Sequence, residues 1–392
     1  MPMTDTPWHH MTALALGAAI ADKSIDPVDL TQHFLDRMGR EDPDHRVYIR
    51  ATGTRARSEA AAASARAKAG LRLSPLDGVP MSWKDLTDTA GTPTTFGSAL
   101  LRDRVPDRDA LLLRRATLAG LICLGKTTMS EFAYSGLGIN PIMGTPANGA
   151  DGEVERVPGG SSSGAAVSVT NGLAPAGIGS DTGGSVRIPA ALNGIVGLKT
   201  TIGRLPLDGI LALSPTFDTI GPLTRDVSDA NAIFAVLNQS RPHDLTGASL
   251  NGMRLLKPTD IMYDELDATV AHAIGLTLDR LSDAGAEIIE APVPEFSEAF
   301  ELVGKHGNII SAEAYALWHD LVEARGGEMY WGVRSRFELA KKLTAIDAEA
   351  AHIGLKAIAA RYAARTAGFA AVVHPTCPRI APPIADLQDD PA

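Results

Sequence analysis

The sequence predicts an α/β fold in which a largely buried sheet is layered with helices. Strand-length apolar runs alternate with helix-length segments. Asp109–Gly120 reads as a helix, followed by a strand at Leu121–Leu124. Met253–Leu256 reads as a strand, Asp264–Ala284 as a helix and Glu287–Glu290 as a strand. Composition agrees: 45% hydrophobic and 21% charged residues over 392 positions is ordinary globular chemistry. We read residues 1–392 as a single domain, with a core at 70–225 and a helix-rich part at 240–370.

Met11–Ala21 reads as a docked N-terminal helix. No Lys or Arg precedes it, so it lacks the positive start of a signal peptide. A second helix runs from Pro27 to about Arg40, with Pro27 at its first position and Leu30, Phe34, Leu35 and Met38 on one face. An alanine-rich helix, Thr54–Ala69, stops at Gly70. Ser74–Asp85 is a turn, then a short apolar run of Val79, Met81 and Trp83 that ends at Lys84.

Gly125–Lys126–Thr127 reads as the turn after the Leu121–Leu124 strand. Gly120–Thr127 matches GxxxxGK[ST] letter for letter, yet its four middle residues are bulky and apolar. A phosphate-cradling loop needs flexible backbone there, with the strand before it rather than inside it. Nucleotide binding is therefore not expected. Met129, Phe132 and Tyr134 precede a Gly- and Pro-rich loop that includes Gly136. Phe132, Tyr134 and Gly136 are the candidate substrate contacts, with core packing as the other reading.

Residues 201–225 read as turn-rich. Asp226–Leu237 reads as a helix with Asp226 near its N-cap, and 240–252 as loop. Residues 298–365 are helical throughout, a cap of helices. Phe369–His374 reads as a strand, followed by Pro-rich coil from Pro375.

The net charge of −10 argues against nucleic acid or an anionic membrane surface as partner. Two cysteines, Cys123 and Cys377, form no disulfide framework or CxxC site, and the ten histidines show no metal-ligand spacing. No window has the apolar length of about 20 residues that a membrane span needs. We expect no metal, no cofactor and a cytoplasmic protein. Self-association is left open.

The chemistry-bearing stretch is Pro158–Thr200. It holds two serine-bearing glycine turns, Gly159–Gly164 and Asp181–Ser185, separated by a short helix and a buried strand within Ala165–Gly179. Successive backbone N–H groups in such turns make a concavity for negative charge. A serine at the rim is a candidate nucleophile, but its hydroxyl needs a neighbour to take its proton. No histidine lies between His45 and His243. Lys84 can serve if burial lowers its pKa by about two to three units, making the amine neutral near pH 8.

These residues carry a resemblance. Gly78–Asp85 is similar to the GVP-x₃-KD segment of the amidase signature family. Pro158–Ser162 is similar to that family's GGSS loop, and Gly179–Pro189 resembles its block holding the acylated serine. Gly125–Lys126–Thr127, Phe217–Asp218–Thr219 and Pro375–Thr376 also look like family landmarks, so the likeness runs over nearly the whole chain. It implies a central mixed β-sheet covered by helices on both faces. It also implies an amidohydrolase that cleaves a small carboxylic amide through an acyl-serine.

In that implied site Lys84 is general base, Ser161 a proton relay preceded by a cis peptide, and Ser185 the nucleophile. The backbone amides of Thr182, Gly183, Gly184 and Ser185 form the oxyanion hole. Asp181 and Arg187 hold the loop. The resemblance further implies that a C-terminal part of the family fold is missing beyond Ala392. Two alternatives stand beside it. One is the glutaminase subunit of a tRNA-dependent amidotransferase, which works with partner subunits. The other is an α/β-hydrolase esterase, because Gly160–Gly164 matches GxSxG with Ser162 as nucleophile.

Overall fold

Six strands make the main sheet of the computed structural model, which describes residues 7–150 and 152–387. The C-terminal part expected to be missing beyond Ala392 lies outside the described residues. Among those described, one compact unit takes residues 7–243, 320–334 and 383–387. A second takes 244–319 and 335–382.

The first unit opens with α1 (Ala13–Ala21), α2 (Pro27–Glu41), β1 (Tyr48–Ala51), α3 (Gly53–Ala69), β2 (Pro80–Lys84) and α4 (Leu111–Leu118). It continues with β3 (Ile122–Thr127), α5 (Ser163–Thr170), β4 (Ala176–Asp181), α6 (Arg187–Leu192), β5 (Val196–Gly197), β6 (Thr219–Thr224) and α7 (Val227–Leu237). Strand order is β1-β3-β2-β4-β6-β5. β2 runs parallel to β3 and β4, while β1, β6 and β5 add antiparallel pairings, so the sheet is mixed. Helices flank it, and every residue of β2, β3, β4 and β6 is buried.

The helices form for legible reasons. Asp26 caps α2 by accepting from the Val28 amide, Pro27 holds its first position, and Leu30, Phe34 and Met38 are buried. Leu35 packs against the cluster of Ala56, Ala60 and Ile122. The alanine face of α3 buries Ala56, Ala60, Ala63 and Ala67, and Gly70 ends the helix with a left-handed φ of 72°. The N-terminal helix is tied down by the buried Asp229 carboxylate, which accepts from the amides of Ala13 and Leu14 at 2.6 and 2.8 Å.

One expectation fails here. The third strand does not stop at Leu124 with a turn at Gly125–Thr127; it runs through Thr127. A strand absent from the sequence reading, β1, pairs with this end, opposing Ala51 to Gly125 and Arg50 to Lys126. Gly125 lets the Arg50 and Ala51 backbone close in, where a Cβ would collide. The turn-rich 201–225 stretch ends in a strand the sequence did not disclose: β6 spans Thr219–Thr224 despite Gly221 and Pro222 within it.

The second unit carries β7 (Arg254–Pro258), α8 (Ala268–Asp283), β8 (Glu287–Ala291), α9 (Glu295–His306), most of α10 (Ile309–Arg325) and of α11 (Trp331–Ala340), α12 (Ala345–Thr366) and β9 (Ala371–Val372). Its three strands are parallel in the order β8-β7-β9. α12 has a capping box, with Thr344 and Asp347 exchanging hydrogen bonds. α8 starts at Ala268 rather than Asp264, because Glu265 has a φ of 53° and Asp267 is the cap. The 298–365 stretch is four helices, interrupted at Gly307 and around residues 326–330 and 341–344. The last strand is shorter than expected, only Ala371–Val372. No described helix is long and apolar enough to cross a membrane.

Candidate active site

Lys84 closes β2 in the middle of the sheet. The parallel register sets Ser82 against Gly177 and Trp83 against Ile178, so β2 and β4 end at the same edge. Lys84 therefore emerges beside Ser180 and Asp181. Its side chain has no solvent exposure. Nζ is 2.7 Å from Ser161 Oγ and 2.8 Å from Ser180 Oγ. Burial pulls the amine's pKa down to about 7, against the opposing charges of Asp218 and Asp181. Above that pH the amine is mostly neutral and has a lone pair to offer.

Ser161 sits on the tight turn that enters α5. The Gly160–Ser161 peptide is cis. The Gly138 amide, Ser130 Oγ and the Ser135 carbonyl crowd Gly160 so closely that no Cβ would fit. The turn is held by two backbone bonds to a neighbouring loop: Ser130 N–H donates to the Ser161 carbonyl at 3.1 Å, and Gly160 N–H to the Gly136 carbonyl at 2.7 Å.

Ser185, 8% exposed, lies on the turn between β4 and α6. The buried Asp181 carboxylate shapes that turn. It accepts from the amides of Gly184, Val186 and Arg187 at 2.8, 3.1 and 3.3 Å, and pairs with the Arg187 guanidinium at 2.9 Å. Burial by itself would push the Asp181 carboxyl up. The Arg187 hydrogen bonds and charge, with the loop amides, outweigh it and hold the group below the usual carboxylate range. Asp218 accepts from Thr182 Oγ1 and from the amides of Leu213 and Ser214, and burial raises its carboxyl.

Three of the residues singled out by sequence thus converge, but not equally. Lys84 and Ser161 are in direct contact. Ser185 joins them through backbone, since Ser162 N–H donates to the Ser185 carbonyl at 3.3 Å. Among the described residues no hydrogen bond links Ser161 Oγ to Ser185 Oγ. Of the four amides assigned to an oxyanion hole, that of Gly184 is already donated to Asp181 Oδ1. Those of Thr182, Gly183 and Ser185 have no acceptor among the described residues.

Other assignments change. Ser162 has no exposed surface; its hydroxyl donates to the Ser180 carbonyl at 3.1 Å and accepts from the Ser180 amide at 3.2 Å. It fastens α5 to β4 and has no open face for a substrate. Phe132 is fully buried, with its ring 5.2 Å from that of Phe96, so it belongs to the core rather than to an open pocket. Tyr134 is also buried, whereas Gly136 is exposed and borders Gly160. Lys126, the lysine of the phosphate-loop lookalike, is buried in β3, paired with Asp85 at 3.0 Å and bonded to Thr94 Oγ1. Sequence reasoning missed Ser180 as a second partner of Lys84, although it stands inside the Gly179–Pro189 block. It also missed the loop contact of Asp218.

Comparison with known proteins bears on the family and the fold. The Amidase family matches residues 29–391. The chain is 34% identical over 386 residues to 2-amino-5-chloromuconic acid deaminase from Comamonas testosteroni, covering 96% of this chain and 82% of that one. It is 35% identical to a glutamyl-tRNA(Gln) amidotransferase subunit from Anaeromyxobacter dehalogenans (strain 2CP-C), covering 90% and 72%. The crystal structure of an amidase superposes with a TM-score of 0.87 at 30% identity, over 95% of this chain and 84% of the other. These matches set aside the α/β-hydrolase alternative. By its match along nearly the full length and by its fold, this chain belongs to the amidase signature family of hydrolases that act on carbon–nitrogen bonds.

Proposed function

We propose that this chain hydrolyses a small carboxylic amide to the acid and ammonia or an amine through an acyl-serine at Ser185. The observation that carries the reading is the buried Lys84 amine, 2.7 Å from Ser161 Oγ and with its pKa drawn down to about 7. A neutral amine accepts the Ser161 proton as Ser161 takes that of Ser185, whose Oγ attacks the amide carbonyl. Charge on the carbonyl oxygen is met by the amides of Thr182, Gly183 and Ser185, each worth roughly 3 kcal/mol. Gly184 is dropped from that set because its amide holds Asp181. Ser161 then gives a proton to the departing nitrogen, and water cleaves the ester by the same relay. The gap between the two serine hydroxyls closes in the substrate complex, as catalytic hydrogen bonds commonly tighten only there.

A fluorophosphonate probe tests this directly. It is expected to modify Ser185, identified by peptide mass, and to stop ammonia release from a panel of simple amides. Modification at Ser162, or none with activity intact, removes the reading. The amidotransferase relatives favour a second reading, glutamine as the amide donor within a complex. Glutaminase activity that appears only on adding the partner subunits, with no turnover of free amides, would select it.

Asp181→Ala offers a separate check on the loop. It leaves three amides and a guanidinium without their acceptor. We expect a stability loss of about 3 kcal/mol, the low end for breaking a buried pair, because the Arg187 side chain is 44% exposed. The carboxyl's pKa is depressed, so its contribution is present above its ordinary value near 4 and fades as pH falls through the folded value. Chemical denaturation at about pH 7 and at about pH 3 should show the difference shrinking in acid.

A further inference from the structure

The loop that holds Ser161 is itself under strain, and one buried carboxylate clamps it. Ser130 and Gly136, the two residues bonded to the Ser161 turn, bracket a short 3₁₀ turn at Glu131–Ala133. Within it Phe132 and Ala133 both have positive φ, 51° and 57°. Two successive non-glycine residues in the left-handed region are strained, and they persist only where the surroundings over-determine them. Ser130 Oγ closes the loop onto the Ser135 carbonyl at 3.0 Å, and Phe132 N–H reaches the Phe96 carbonyl at 2.9 Å.

The remaining clamp is Glu131. It has no exposed surface. Oε1 accepts from Ser98 Oγ at 2.6 Å, and Oε2 accepts from the Tyr330 amide at 2.8 Å, 199 residues away in sequence. Nearby, Arg325 donates to the Leu100 carbonyl at 3.1 Å and pairs with Glu328, so the 325–330 segment is fastened at both ends, by Arg325 to Leu100 and by Tyr330 to Glu131. Burial pushes the Glu131 carboxyl up to about 7, against the Ser98 and Tyr330 hydrogen bonds. A carboxyl buried at that cost beside a strained turn is not needed to fill the core; an apolar side chain would do so more cheaply.

We propose that Glu131 is a positioning residue for the hydrolysis: by clamping the strained 131–133 turn it fixes Ser130 and Gly136, and through them the placement of Ser161 against Lys84. The inference rests on Ser161 and Ser185 being the working serines. It acts on the geometry of the relay, and a displacement of about 1 Å in such a relay costs on the order of 100-fold in rate. Glu131 is buried and both its oxygens accept from protein donors, so its loss falls on turnover.

The test compares Glu131→Ala, Glu131→Gln and Ser98→Ala, with kcat referred to the concentration of serine titrated by the fluorophosphonate. Glutamine keeps both contacts, its carbonyl accepting from Tyr330 N–H and its amide donating to Ser98 Oγ. Glu131→Ala is expected to lower kcat at least about 10-fold with KM within about 3-fold, Glu131→Gln to stay within about 3-fold in both, and Ser98→Ala to fall between them. Unchanged kcat per titrated site in Glu131→Ala, even with a lowered Tm, overturns the proposal. If Glu131→Ala does not fold, wild-type kcat in Ser98→Ala overturns it instead. An active Ser185→Ala enzyme would remove the proposed function itself; an inactive Ser185→Ala beside a fully active Glu131→Ala removes only the positioning role.

Discussion

Ser185→Ala is expected to lower kcat/KM for any amide the wild type cleaves by at least about 10⁴-fold, with little change in stability. The hydroxyl sits on a partly open turn and carries no hydrogen bond among the described residues, so truncation removes a reacting atom and no structural contact. Ser162→Ala makes the contrast. That hydroxyl joins α5 to β4 through two bonds to Ser180, and its loss should cost about 1–2 kcal/mol while leaving the acyl-accepting atom in place. Ammonia release and urea denaturation, run on both variants, separate the two serines. If Ser162→Ala is the inactive, stable variant and Ser185→Ala the active one, the nucleophile has been misassigned.

The contrast also shows what the residues disclose. The lysine at the end of an apolar run, and two serines on glycine turns, are local patterns, so Lys84, Ser161 and Ser185 were visible in the sequence. Val79, Met81 and Trp83 mark a buried strand, but they do not decide whether the amine at its end stays in the core; the β2–β4 register does, by setting Lys84 beside Ser180. Contacts set by tertiary pairing were not visible. The Glu131–Tyr330 bond spans 199 residues, and nothing around either one announces the other. β1 is four residues long and β5 only two, too short to stand out by periodicity. In β6, Gly221 and Pro222 disguise a central strand as a turn; the glycine is there because the Leu198 carbonyl crosses it. The Gly184 amide was assigned to the oxyanion hole by the family resemblance. It is bound by a side chain three residues back, which spacing alone does not decide. Phe132 reads as a pocket aromatic beside a loop, but its left-handed backbone turns it into the core.

Lys84→Met should cut turnover by about 10³-fold or more and stabilise the protein at the same time. Methionine is close in length and has no charge to desolvate. Wild-type Lys84 is depressed from 10.5 to about 7 by burial, so the folded chain resists protonation that the unfolded chain accepts. The sign follows from linkage. The favourable contribution of the neutral amine is complete above about pH 10.5, declines as pH falls, and is gone below about pH 7. In the wild type, therefore, the lysine is a net cost at neutral and acid pH. Removing it is worth on the order of 3 kcal/mol at about pH 7, after allowing for the two lost contacts to Ser161 and Ser180. Near pH 10 that advantage should vanish. Activity moves the other way. Wild-type kcat/KM should rise with pH through about 7 as the amine loses its proton, and the variant's residual rate, down by about 10³-fold or more, should lack that limb. Thermal unfolding and amide hydrolysis followed between about pH 5.5 and 10 read both effects on one pair of samples. A variant that is less stable at neutral pH, or one that keeps the wild-type pH profile, would show that the buried amine is neither desolvated nor the base.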